Sequence, residues 1–321
     1  MENTQLKNFG LIPENDLGPT DDRDFVLGTA TETKKIVLSP ERDYTFALPK
    51  VELQYGYGFD TGCCVTFSAL NTVETYVKAR YGLDWNKSDR FTAVRSGTTI
   101  YGNSFGVVAE SIRKDGLVDE AQWPWTPDIN TWDKYMAPVS PEVIALGRKN
   151  ASQVDLKHEW VGWGGSNTEL LWEALLYGPQ QVSVHTWGKL VNGVYQRFEN
   201  AEKIPTNHGV MLFGGEYGKS WKIFDHYDKS IKTMAWDYYF GSSKQFFINL
   251  GTPMLQLQKG HERAETYAVD LDGVKHYIYN FNQLRAGAKI GLWGDESTIK
   301  ILPQLKIDAM PEGAPIMLGL V

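Results

Sequence analysis

Apolar residues recur at every fourth position between Cys64 and Arg80, where the stripe consists of Val65, Ala69, Val73 and Val77. This spacing is that of an α-helix with one buried face. Gly82 fits the end of the helix. The pattern therefore predicts a helix whose first turn contains Cys64.

Two shorter segments show the same kind of pattern. They run from Phe105 to Lys114 and from Thr168 to Tyr177, and a glycine follows each, Gly116 and Gly178 respectively. Glycine just beyond the last helical residue is a common end signal. The sequence therefore predicts three helices before residue 179.

After residue 179 the pattern changes to strands. Residues 181–185 alternate in polarity, and 209–213 and 221–224 are further short strands. The glycine-rich loop 214–218 predicts that these last two strands form a hairpin, and 238–250 has room for one or two more strands. Helices that precede strands, without regular alternation, indicate the α+β class.

Composition divides the chain into three parts. Residues 1–48 are polar and interrupted by prolines, which predicts an extended arm that packs on the main domain. Residues 49–250 form the main domain. Residues 251–321 differ in composition and contain a predicted hairpin that turns at Asp272-Gly273, so we expect a small β-rich appendage of unknown role.

Composition and charge exclude several classes of protein. The chain has 321 residues and is 42% hydrophobic, as expected for a globular protein. Its net charge of −7 argues against nucleic acid as a main partner. The first 20 residues contain no signal-peptide pattern and no apolar run reaches membrane-spanning length. We therefore expect no signal peptide, no contact with a membrane, and a cytoplasmic or virion-associated location.

Cys63 and Cys64 are the two cysteines of the chain, and they are adjacent. This arrangement rules out a disulfide framework and a CxxC-type zinc site, and we expect neither metal nor cofactor. A helix N-terminus favours a thiolate, so Cys64 is a candidate nucleophile. The alternative is that Cys64 is a small buried hydrophobic residue. Cys63 has no comparable position and serves as the natural control.

A nucleophilic thiolate needs a base, and the base needs an orienting partner. His208 lies at the start of one predicted strand, and Asp225 lies 17 residues later at the end of the next. If the two strands pair, the imidazole and the carboxylate come close together. Taken separately, His208 and Asp225 have simpler explanations, as a strand-end histidine and a turn residue.

Together these residues resemble the papain-like cysteine peptidases, in particular their bacterial and bacteriophage-type relatives. The segment Gly62-Cys63-Cys64-Val65-Thr66-Phe67-Ser68-Ala69 is similar to the nucleophile segment of the family, and Asn207-His208 to its histidine strand. The separation of 144 residues between Cys64 and His208 falls in the family's window of roughly 130–150. The resemblance covers about residues 50–250, with the motifs in order. It implies a papain-like α+β fold with a helical half and a sheet half around a cleft.

The resemblance also implies roles for individual residues. Cys64 matches the nucleophile, His208 the general base and acid, and Asp225 stands where the family has an orienting asparagine. The family's oxyanion-hole glutamine lies six residues before the nucleophile, but Gly58 occupies that position here. Gln54, ten residues before Cys64, can take this role if the intervening segment bulges out.

Further residues match the substrate-binding region of the family. Gly102, Asn103 and Ser104 resemble its Asn-Gly-Gly segment, and Tyr227 replaces the tryptophan that shields the histidine. No inhibitory propeptide pattern is recognisable in residues 1–48.

The resemblance implies a peptidase with a Cys–His–Asp triad that acts through a thioester, on a polypeptide or on peptides of peptidoglycan. Virion proteins are possible partners of residues 1–48 or 251–321. The alternative is a catalytically inactive papain-fold protein with a structural or adhesive role in a virion, which Gly58, Phe105 and the extra segment 251–321 favour.

Overall fold

The fold is given by a computed structural model. It describes residues 8–12, 19, 25–26, 36–228 and 230–250, and beyond these 256–260, 265–269, 275–278, 283–285, 299–302 and 304–313. The chain divides into two compact units. The first comprises Met1–Ala79, Trp85–Ser152 and Leu156–Ile248, and the second comprises Arg80–Asp84, Gln153–Asp155 and Asn249–Val321.

The central helix of the first unit is α1, Cys64–Tyr81, as its periodicity predicts. The expectation of a single buried face is wrong, because every side chain from Cys64 to Val77 is buried. Two of the polar members of this run satisfy their hydroxyl groups within the helix. Ser68 Oγ donates to Cys64 O at 2.7 Å, and Thr72 Oγ1 donates to Ser68 O at 2.7 Å. Polar residues can therefore alternate with apolar ones in a fully buried helix.

Five further helices belong to the first unit among the described residues. The predicted helices at 105–114 and 168–177 are confirmed as α3 and α6, although α6 is shorter than expected. Gly116 follows α3 with φ of 73°, a conformation that favours glycine. The bounds are α2 Asp89–Arg95, α3 Phe105–Asp115, α4 Trp132–Tyr135, α5 Pro141–Ala151 and α6 Thr168–Ala174.

A mixed sheet of nine described strands forms the other half of this unit. Its order is β1-β4-β11-β5-β8-β9-β10-β7-β6. The strands are β1 Phe25–Val26, β4 Asp155–Gly162, β5 Gln180–Val184, β6 Leu190–Val191, β7 Val194–Tyr195, β8 His208–Glu216, β9 Ser220–Asp225, β10 Ser230–Ala235 and β11 Ser243–Asn249. A separate short hairpin consists of β2 Tyr55–Gly56 and β3 Phe59–Asp60.

The predicted hairpin of the sheet is confirmed. β8 and β9 pair antiparallel, with Met211 opposite Phe224. Because His208 begins β8 and Asp225 ends β9, the hairpin brings both residues to the same end of neighbouring strands. Apolar side chains of these strands form the main core of the unit, together with residues of α6 and its C-cap: Val210, Leu212, Phe213, Trp221, Ile223, Leu171 and Leu175.

The second unit contains a four-stranded sheet in the order β14-β13-β12-β15 among the described residues. The predicted hairpin within 265–280 is confirmed by the antiparallel pairing of β13 with β14, while Asp272-Gly273 lies outside the described residues. The elements are β12 Gln256–Gly260, β13 Thr266–Val269, β14 Lys275–Tyr277, β15 Lys300–Leu302 and helix α7 Gln304–Asp308.

None of the helices in the described part of the chain combines the length and the apolar character that a bilayer crossing requires.

Candidate active site

His208 and Asp225 form a buried pair. His208 Nε2 lies 2.9 Å from Asp225 Oδ1, and the two side chains are 0% and 1% exposed. Burial alone would raise the pKa of Asp225, but the hydrogen bond from His208 and the surrounding positive charge hold that pKa below its usual range. Asp225 is therefore an ionised carboxylate that accepts a hydrogen bond from the protonated Nε2 of His208.

This pairing fixes the tautomer of the imidazole. A carboxylate only accepts hydrogen bonds, so the proton of a neutral His208 lies on Nε2 and the lone pair lies on Nδ1. Nδ1 of His208 has no hydrogen-bond partner among the described residues. The imidazole can therefore accept a proton at Nδ1 while Asp225 stabilises the cation that results.

Cys64 lies at the start of α1, beside the histidine strand. The backbone N–H of Gly209, the residue after His208, donates to Cys64 Sγ at 3.4 Å. The side chain of Cys64 is completely buried. Burial raises the pKa of the thiol, and the Gly209 N–H opposes this only in part. In this buried position desolvation favours the neutral thiol, so activation of Cys64 by the helix N-terminus stays a prediction.

Gln54 lies near the His208–Asp225 pair because the residues between Gln54 and Cys64 bulge out as the β2–β3 hairpin. The hairpin turns at Tyr57 and Gly58, which have positive φ values of 49° and 86°. Gly58, at the family's glutamine position, therefore belongs to the turn. The amide Nε2 of Gln54 donates to Phe9 O at 3.1 Å and to Asp60 Oδ1 at 2.9 Å. Gln54 thus presents an N–H donor to a peptide carbonyl.

The other end of the Gln54 amide is held by His226. His226 Nε2 lies 3.0 Å from Gln54 Oε1, and the Gln54 backbone N–H donates to His226 O at 3.1 Å. Burial lowers the pKa of His226 to about 3, so the ring is neutral near pH 7 and donates from Nε2. The ring of His226 also stacks on that of Phe67, with centroids 5.4 Å apart.

Residues 8–12, which we call the N-terminal strap, lie across this site and bend at Gly10, where φ is 109° and the backbone N–H donates to Asn8 Oδ1 at 2.9 Å. The strap pairs with both sides of it. Phe9 N–H donates to Asn207 O at 3.0 Å, Asn103 N–H donates to Gly10 O at 3.0 Å, and Ile12 N–H donates to Asn103 O at 2.9 Å. The ring of Phe9 lies 5.0 Å from that of His208. The region around Cys64 and His208 therefore already binds a peptide backbone.

Three of the four predicted substrate-binding residues contact or flank the strap. Asn103 pairs with it through its backbone, and Gly102 approaches so closely that a Cβ there would lie 2.0 Å from Gly10 O. The ring of Tyr227 packs edge-on against Phe9, with centroids 4.7 Å apart. Ser104 instead precedes α3 as a buried residue, and its backbone N–H bonds to Asn103 Oδ1. Nothing brings the side chain of Ser104 to the strap.

A cavity of about 340 Å³ adjoins the strap. Strap residues Asn8 and Gly10 line one part of it, and Asp60 and Gly62 line another, close to the start of α1. Three large side chains complete the lining: Ile100, Tyr101 and Trp132.

Sequence reasoning missed three parts of the site, namely the strap, His226 and Lys232. Lys232 Nζ lies 2.7 Å from Asp225 Oδ2. No local pattern marks the strap, because its contacts lie about 45 to 200 residues away in sequence. For His226, its position directly after Asp225 was the one feature of the sequence that indicated a place near the site.

One group of three residues in the described part of the chain has the ligand types for a metal. His208, Asp225 and His226 each offer one ligand atom, and these atoms lie within 4.8 Å of one another. The group fits a cation poorly, because Asp225 already pairs with the Lys232 ammonium and His226 Nε2 with Gln54.

No protein-family model and no curated protein matches this sequence. Solved structures do match. Digestive procathepsin L 3 of Tenebrio molitor superposes with a TM-score of 0.50 at 15% identity, over 71% of this chain and 75% of that one. Xylellain, a cysteine protease from Xylella fastidiosa, superposes with a TM-score of 0.51 at 14% identity, over 77% of this chain and 97% of that one. The predicted α+β class is confirmed, and the chain has the fold of the papain-like cysteine proteases.

Proposed function

We propose that this protein is a papain-like cysteine peptidase with Cys64 as nucleophile, His208 as general base and acid, and Asp225 as orienting residue. The observation that carries this proposal is the strap. A stretch of polypeptide lies beside His208 and the start of α1, bound through its backbone to Asn103 and Asn207, with one carbonyl on Gln54. A cleft that binds one peptide in this way has the geometry to bind another.

The chemistry follows from the groups around the cleft. His208 takes the Cys64 proton at Nδ1, and the thiolate sulfur forms a bond to the substrate carbonyl carbon. The carbonyl oxygen becomes an oxyanion, for which Gln54 Nε2 and the Cys64 backbone N–H are the donors. His208 then protonates the leaving amine as the C–N bond breaks. Water attacks the resulting thioester, which releases the acid and restores the thiol.

The strap has to leave the cleft before a substrate binds, since both would use the backbone of Asn103. The proposal requires that Cys64 gains solvent when the strap leaves, because burial now raises the pKa of its thiol. The substrate class that this pairing supports is a polypeptide bound through its backbone. Peptidoglycan peptides, bacteriophage origin and association with virion proteins through 1–48 or 251–321 stay predictions from the resemblance.

One observation favours the second candidate, a catalytically inactive papain-fold structural or adhesion protein. The Cys64 side chain is 0% exposed, and a thiol that never becomes accessible cannot act. The two candidates differ in whether His208 activates Cys64 once the strap is released.

The test uses the substitution Leu11→Asp, which places a charge at a strap residue that is 1% exposed and so releases the strap. In this background we expect rapid iodoacetamide modification of Cys64 near pH 7 and cleavage of unfolded casein. Both should be lost with His208→Ala and with Cys64→Ser, and kept with Cys63→Ser. If modification of Cys64 is slow and unchanged by His208→Ala, and casein is not cleaved, the protein is the catalytically inactive candidate.

A further inference from the structure

Lys232 is a buried cation next to the candidate catalytic pair. It lies in β10 with 4% of its side chain exposed. Its Nζ lies 2.7 Å from Asp225 Oδ2, and 2.6 and 2.7 Å from the two carboxylate oxygens of Asp228. The ammonium also lies 4.8 Å from the ring centroid of Trp187. A lysine is rarely buried unless it is paired. Lys232 meets this condition through its ion pairs with Asp225 and Asp228.

The two oxygens of Asp225 have different partners. Oδ1 accepts hydrogen bonds from His208 Nε2 at 2.9 Å and from the Tyr227 backbone N–H at 3.0 Å. Oδ2 accepts from Lys232. The ammonium therefore fixes the rotation of the carboxylate about its Cβ–Cγ bond, with Oδ1 directed at the imidazole.

Lys232 also changes the charge that His208 experiences. A lone carboxylate 2.9 Å from an imidazolium strongly favours the charged ring, which hinders transfer of its proton to a leaving amine. A cation on the other oxygen of the same carboxylate offsets this attraction. The pair Asp225–Lys232 is then electrically closer to a neutral amide, which orients an imidazole without holding its proton.

We propose that Lys232 is a positioning residue of the catalytic site, which orients Asp225 and offsets its charge so that His208 can both take up and release a proton. This inference rests on the proposed function, and it adds a residue that neither the sequence nor the resemblance indicates.

The other titratable and charged groups around the pair come from several elements. α1 contributes Cys64, β3 contributes Asp60, and the turn after β9 contributes His226 and Asp228. Among the groups that the structure describes here, Lys232 carries a full positive charge. Its removal therefore makes the surroundings of His208 more negative.

The test measures the pH dependence of Cys64 alkylation and of casein cleavage in the Leu11→Asp background. The alkaline limb of each profile reports loss of the imidazolium proton. Lys232→Met should move this limb to higher pH by about one unit. The Asp225 carboxylate then acts on the imidazolium without a compensating cation, and an opposite charge at such a distance shifts a titration by about 1–3 units. Lys222→Met is the matched control, because Lys222 also lies in the sheet but pairs with Asp43. It should leave the limb in place.

A second variant covers the case in which Lys232→Met does not fold. Asp228 is half-exposed and shares the ammonium. Asp228→Asn removes one negative charge and leaves Lys232 to Asp225 alone, so the limb should move to lower pH. The two substitutions thus have opposite expected signs, which a purely structural role for Lys232 would not produce.

The outcomes separate the two proposals. If the Leu11→Asp protein shows no His208-dependent alkylation of Cys64, the proposed function fails, and the inference about Lys232 fails with it. If the parent is alkylated in a His208-dependent way but the limb stays in place in Lys232→Met, or in Asp228→Asn where Lys232→Met does not fold, only the role of Lys232 is overturned.

Discussion

His226 Nε2 lies 3.0 Å from Gln54 Oε1, and this hydrogen bond sets the direction of the Gln54 amide. Because the neutral His226 ring donates from Nε2, the carbonyl end of the amide is directed at His226 and the NH₂ end at Phe9 O. The amide cannot reverse without placing its own N–H groups against a donor. His226 is therefore what makes Gln54 a donor at the cleft.

Removal of the Gln54 side chain should lower kcat. Gln54→Ala in the Leu11→Asp background takes away one of two donors to the oxyanion, and such a loss costs about 10²–10³ in rate. Alkylation of Cys64, which forms no oxyanion, should change little. Kinetics of peptide cleavage beside an alkylation time course would test this, and an unchanged kcat would remove Gln54 from the oxyanion site.

His226→Phe keeps a ring to stack on Phe67 but removes the hydrogen bond to Gln54. Loss of a net hydrogen bond of about 1 kcal/mol predicts a fall in kcat of roughly five- to tenfold. The effect should vanish when Gln54 is already alanine, because His226 acts through that amide. A double-mutant cycle on kcat is the measurement, and two additive losses would show that His226 acts in some other way.

The strap should be released by adding one methyl group. Gly10 has φ of 109°, and a Cβ there would lie 1.7 Å from Gly62 O. From the opposite side, a Cβ on Gly102 would lie 2.0 Å from Gly10 O. Gly10→Ala and Gly102→Ala should therefore each expel the strap and raise the rate of Cys64 alkylation by at least about tenfold, a barrier change of roughly 1.4 kcal/mol.

Gly97→Ala is the control for the strap experiment. Gly97 also has a positive φ, 69°, but a Cβ there would have no atom within 4 Å. It carries the same type of backbone strain without a clash. If Gly97→Ala accelerates alkylation as much as Gly10→Ala does, general loosening of the structure and not release of the strap would be the cause.

The sequence predicts those parts of the site that depend on local pattern. The N-terminal position of Cys64 on α1 follows from apolar periodicity, and the proximity of His208 to Asp225 follows from a glycine-rich hairpin. The resemblance to the family points to Gln54 on the condition that the segment after it bulges out, and the β2–β3 hairpin is such a bulge. The helix α5 was overlooked although Ser140-Pro141-Glu142 is a clear start signal, and Ser140 Oγ indeed accepts from the Val143 N–H.

The remaining features depend on tertiary contacts. The backbone hydrogen bond of Phe9 with Asn207 and the Lys232 ion pair with Asp225 have no local signature. The thiol of Cys64 shows the same limit. Its helix position was predicted, but its burial, which raises the pKa of the thiol, involves elements far away in sequence such as β8.

The last prediction concerns stability, through a buried carboxyl group of α1. Glu74 Oε1 accepts the Lys87 backbone N–H at 2.7 Å. Burial, together with nearby Glu52 and Glu120, raises the pKa of Glu74 to about 8 from 4.5, despite that hydrogen bond. Between these pH values the folded protein binds a proton that the unfolded chain has released. The contribution of protonated Glu74 to the free energy of unfolding is therefore complete below about pH 4.5 and is lost as pH rises towards 8.

Glu74→Gln should weaken this dependence, because an amide oxygen can still accept from Lys87 while the group no longer ionises. The fall in unfolding free energy between pH 5 and 8.5 should shrink by at least about 2 kcal/mol. Urea unfolding at the two pH values measures it, with Glu216→Gln, at an exposed ion pair with Lys219, as control. Equal pH dependence in Glu74→Gln and the parent protein would mean that Glu74 is already ionised in the folded state.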